Sequence, residues 1–66
     1  MSDPLIKIKQ NLAKAQECLN YPSEITAWEI GFLNNIITRL KNNYQLSERQ
    51  QDTLDDLEKK LIERMD

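Results

Sequence analysis

Sixty-six residues, 39% hydrophobic and 30% charged, make at most one domain, 1–66. The apolar share is too high for a disordered chain, and a net charge of −2 argues against a free-standing nucleic-acid module of the usual basic kind. One cysteine excludes an internal disulfide, the lack of histidine removes the commonest general base and metal ligand, and a single glycine leaves no Gly-rich phosphate loop.

The first helix is expected from about Pro4 to about Leu19, capped by Ser2 or Asp3, with Pro4 in the first turn where its missing N–H costs nothing. Leu5, Ile8, Leu12, Ala15 and Leu19 recur at spacings of three and four and form a heptad-like stripe, widened by Ile6 and Ala13. Tyr21 precedes Pro22, which drives it out of the helical region and makes residues 20–24 a short loop.

The second helix opens with the most explicit local signal in the chain. Thr26 is placed to cap it, Glu29 to reach back to the Thr26 N–H, and Ile25 and Ile30 to close as a hydrophobic staple. It should run from about Ala27 to about Lys41, with Trp28, Phe32, Leu33, Ile36, Ile37 and Leu40 on a stripe broad enough to face two neighbours. Gly31, inside it, costs about 1 kcal/mol relative to alanine. Close approach of another helix or an aromatic ring is its first explanation. Asn42 or Asn43 is expected to end this helix in the left-handed conformation, beside Arg39 and Lys41, which suit its negative end.

Ser47 and Gln50 repeat the capping box and open a third helix, from about Glu48 to about Arg64. Leu54, Leu57 and Leu61 form its seam, with Ile62 and Met65 beside it. Acidic residues fill its first half and basic ones its second, in the sense of the helix dipole, and Asp55–Lys59 and Asp56–Lys60 stand at i,i+4. Three helices with short connections give an all-α fold: a small three-helix bundle built on the antiparallel hairpin of residues 26–64, with the first helix docked on it or left for a partner.

Chemistry is scarce. Carboxylates 52, 55, 56 and 63 read as a solvated helix face, the serines as loop or cap residues, and Cys18 as a small hydrophobe at the wrong helix end for thiolate activation. No catalytic residue, cofactor or metal site is expected. No apolar run spans a bilayer and no apolar core of a secretion signal opens the chain, so a cytoplasmic protein is expected. Trp28 and Phe32 lie one turn apart; core packing is their first reading, an aromatic anchor for a protein or a stacking platform for single strands the competing one. Lys7, Lys14, Arg39, Lys41 and Arg49 are the candidates for a phosphate track, against a first reading as ordinary solubilising charges.

The run Trp28-Glu29, Phe32-Leu33, Ile36, Arg39-Leu40, Leu46-Ser47-Glu48-Arg49-Gln50, Leu54 and Leu57-Glu58-Lys59-Lys60 resembles a helix-hairpin module of tailed phages. The module is that of the small UvsW-associated proteins of T-even phages, also carried as a C-terminal extension by some relatives of the UvsW recombination helicase. The resemblance covers about half to two-thirds of the chain and rests on capping and packing residues. It implies an accessory role in phage DNA replication, recombination or repair, in the host cytoplasm, through contact with a UvsW-type helicase or another recombination protein, and with DNA as a further partner. No residue matches a Walker motif, so none of the helicase's ATPase machinery carries over.

Contact residues for a protein partner are expected at Trp28, Phe32 and Tyr44, joined by Leu5, Ile8 and Leu12 if the first helix is not fully packed internally. Two alternatives stand beside this one: direct DNA binding through the five basic residues, and self-association through the stripe of the first helix.

Overall fold

A computed structural model describes residues 3–65, and the side chains of residues 3–64. It contains three α-helices, α1 (Pro4–Leu19), α2 (Ala27–Lys41) and α3 (Glu48–Met65), with one 3-10 turn (Pro22–Glu24) between the first two. The all-α three-helix bundle is as the sequence leads one to expect. Ser2, the other cap considered for α1, lies outside the described residues, as does the Met65 side chain.

Each helix begins for local reasons, and α2 ends for one. Asp3 caps α1 by accepting from the Leu5 N–H at 3.0 Å. At α2 both halves of the capping box are formed: the Glu29 N–H donates to Thr26 Oγ1 at 3.1 Å, and the Thr26 N–H to Glu29 Oε1 at 2.7 Å. The box at α3 is formed likewise between Ser47 and Gln50, at 3.0 and 3.2 Å. Asn43 terminates α2 with φ of 63°. Its N–H donates to the Leu40 carbonyl and the Tyr44 N–H to the Arg39 carbonyl, both at 3.0 Å, the paired bonds of a Schellman motif.

The closest backbone approaches run from α1 to α2 and from α1 to α3, so the first helix is docked in the bundle, one of the two arrangements expected of it. Side-chain size explains this. The innermost residues of α1 are small, Asn11, Ala15 and Cys18, whereas α2 offers Leu33, Ile36 and Ile37, and α3 offers Leu54, Leu57 and Leu61. Large side chains on both α2 and α3 hold those two backbones apart, while α1 lets each come near. Contacts between α1 and α3 advance together along both chains: Asn11 meets Gln51, Lys14 meets Asp55, and Arg64 reaches the carbonyl of Glu24 just beyond α1. The two helices are therefore parallel.

The seam of α1 is also rotated from its expected line. Ile8, Asn11, Ala15 and Cys18 are buried, Leu12 and Leu19 are half-buried against the core, and Leu5 and Ile6 stand in solvent. Counting only apolar residues misplaced the stripe, because a paired asparagine and a cysteine lie on the inner face. Ile62, expected beside the seam of α3, is exposed. Among the described residues no helix is long and apolar enough to cross a membrane.

Candidate interaction surface

Two regions of this bundle carry more than packing. The first is the polar seam between α1 and α3. Asn11, only 2% exposed, donates to Gln51 Oε1 at 2.7 Å and accepts from Gln51 Nε2 at 3.0 Å. Gln51 Nε2 also donates to Asp55 Oδ1 at 3.1 Å, which accepts from Lys14 Nζ at 3.2 Å, and Glu58 stands 4.0 Å from the same ammonium. The reciprocal amide pair satisfies both side chains, as buried polar groups require. Partial desolvation pushes the Asp55 carboxyl up, but the hydrogen bonds from Lys14 and Gln51 and the charges of Lys14 and Lys7 outweigh it and hold the group below its ordinary value. The sequence pattern pairs Asp55 with Lys59; the structure gives it to Lys14 across the helices, while Asp56 and Lys60 do pair as expected, at 3.0 Å.

The same seam bears on the basic residues. Lys14 is engaged by Asp55 and Glu58, and Lys7 lines a shallow cleft together with Glu48 and Asp52 of α3. Arg39 lies on the outer side of α2 near Gln50, and Lys41 and Arg49 are exposed at either side of the α2–α3 turn. Lys7 and Lys14 therefore face carboxylates, and the five do not gather on one acid-free surface.

The second region is the outer face of α2. Trp28 is 68% exposed and stacks on half-buried Phe32, with ring centroids 5.6 Å apart and planes within 7°. Gly31 and Asn35 complete a shallow hollow with these rings. A Cβ built on Gly31 would meet nothing within 4 Å, so the glycine makes room for no group of its own chain. That overturns its expected role in internal packing; the exposure of Trp28 overturns its reading as core, whereas Phe32 does pack against the core. Tyr44 is exposed at the other end of α2. The sequence-expected contact residues thus separate: Trp28 and Tyr44 are exposed and Leu5 is half-exposed, Phe32 and Leu12 are half-buried and pack against the core, and Ile8 is buried. Ile8, Leu12, Ala15 and Leu19 of the expected α1 stripe are thus taken up by the fold, while Leu5 at its start stays exposed. Asn11 and Gln51 were missed in the sequence because a polar residue on an apolar face has no visible partner 40 positions away.

Cys18 is buried. Desolvation, reinforced by the charges of Glu58, Glu17 and Glu29, pushes its thiol up, away from the thiolate that nucleophilic chemistry needs. Among the described residues no group of three or more Cys, Asp or Glu side chains is arranged to hold a metal ion.

No known protein-family profile matches this chain, nor does any characterised protein or solved structure.

Proposed function

We propose that this chain is a non-enzymatic accessory protein of phage DNA replication, recombination or repair, acting by contact with a partner protein, a UvsW-type helicase first among them. The observation that supports a contact role is Trp28, held in solvent and stacked on half-buried Phe32 beside an unfilled Gly31. Large aromatic side chains are the residues a 66-residue domain most needs inside, and they are also the ones that dominate binding energy at protein interfaces. Leaving Trp28 outside while Cys18 and Ala15 fill the core forgoes stability that a partner can return. Trp28 and Phe32 are the contact residues, with Tyr44 in the turn that follows the same helix. The helicase as partner rests on the resemblance of residues 26 to about 61 to the phage helix-hairpin module.

The test is a pull-down from phage-infected cells with the tagged chain, with and without nuclease, beside Trp28→Ala. Recovery of the helicase that survives nuclease and is lost in the variant supports the reading. Recovery that vanishes with nuclease transfers the role to DNA contact. Helicase bound equally by Trp28→Ala removes the aromatic face from the interface.

A further inference from the structure

The outer face of α2 has a spacing that reads the same in both directions. Trp28, Phe32, Asn35 and Arg39 follow one another at four, three and four residues, so an antiparallel copy of the helix sets Trp28 against Arg39 and Phe32 against Asn35. We propose that this face is self-complementary, and that the free protein associates with a second copy of itself through α2 about a two-fold axis between positions 33 and 34.

Three observations carry this. The charges are complementary under that operation: the first turn of α2 bears Glu29, its last turn bears Arg39 and Lys41, and no charged residue lies between Glu29 and Arg39. An antiparallel pair therefore joins positive ends to negative ones and opposes the two helix dipoles favourably. Arg39 makes no ion pair among the described residues, which leaves its guanidinium free to cover the exposed face of the partner copy's Trp28 ring. Gly31 lies beside this stripe with open space above it, and a missing side chain near the crossing point is what lets two helices approach closely. A parallel pairing would set Arg39 beside Arg39 and gains none of this.

The contact is one helix wide, about 22 Å long for fifteen residues, so the association belongs to the weak class. It does not depend on the accessory role proposed above. It does use the same aromatic pair, so a partner protein must displace the second copy to reach Trp28.

Sedimentation equilibrium on the purified chain tests it. The mass should rise from 7.8 kDa toward double that value as concentration approaches ~1 mM, with a blue shift of the emission of Trp28, the one tryptophan. Gly31→Glu should raise the melting temperature of the dilute monomer by about 4–8 °C, because it removes a helix-interior glycine, yet weaken association by ~10-fold or more by placing two carboxylates near the axis. Arg39→Glu should weaken association to a similar degree while leaving the helix content unchanged. A mass that stays at 7.8 kDa throughout overturns the proposal, as does a dimer indifferent to both substitutions or one that leaves the Trp28 emission where it was.

Discussion

Replacing Asn11 by leucine puts an apolar group of similar shape where the buried amide sits. The change removes two hydrogen bonds, those at 2.7 and 3.0 Å, and leaves Gln51 Oε1 unpaired in a half-buried site, while Gln51 Nε2 keeps its bond to Asp55. Two bonds at a net of about 1 kcal/mol each set the loss near ~2 kcal/mol, with the unpaired Gln51 opposing any gain from the added apolar surface. For a domain of this size that lowers the melting temperature by about 8–16 °C. Gln51→Met strands Asn11 in the same way, more severely because Asn11 is the deeper of the two. The double variant leaves neither amide unpaired, loses in addition only the exposed Gln51–Asp55 bond, and should lie within ~1 kcal/mol of the parent, which makes the coupling energy of the pair about 2 kcal/mol or more. The assay is urea denaturation followed by far-ultraviolet circular dichroism, at one low protein concentration; emission is a poor probe here because Trp28 is exposed in the folded monomer. If the two single losses simply add in the double variant, the reciprocal bond contributes nothing and the polar seam has been misread.

Three further outcomes follow from the same structure. Asn43 holds a φ of 63°, so Asn43→Gly should stabilise the domain by about 0.5 kcal/mol in thermal melts and Asn43→Val should destabilise it by about 1–2 kcal/mol. Asp55 has a depressed carboxyl in the folded state, so its contribution is present above its ordinary value of 3.8 and is lost as pH falls below it; Asp55→Asn should flatten the acid side of the stability–pH curve, modestly given the half-exposed site. Cys18 is raised above its ordinary 9.0, so the native thiol should react with iodoacetamide only as fast as the domain opens, and stability should decline above pH 9, where the unfolded thiol ionises first.

What the sequence disclosed was local. Thr26 with Glu29, Ser47 with Gln50 and the asparagine at the end of α2 act within a few residues of themselves, and their bonds form where the spacing places them. Position in the bundle was not legible, because it depends on comparing helices. Only when Ala15 and Cys18 are set against Leu33 and Leu57 does α1 become the helix that both others approach. The candidate face shows the same division. Trp28 and Phe32 could be named from their spacing, but the periodic pattern of α2 could not say which part of its broad stripe is left in solvent. Gly31 was visible as an anomaly, and its empty surroundings follow only from the packed structure.

The side-chain hydrogen bonds that join α1 to α3 connect residues 40 or 41 positions apart, whereas α1 and α2 are separated by one short loop. Closing the longer span costs more chain entropy before any bond repays it, so α1 and α2 should meet first and α3 should dock onto them afterwards. The seam of Asn11, Gln51, Asp55 and Lys14 then acts as a late latch. Substitutions there should speed escape from the native basin and leave the rate of entry nearly unchanged, a one-armed shift of the chevron. Because it forms last, the same latch governs how long a folded molecule lasts once made.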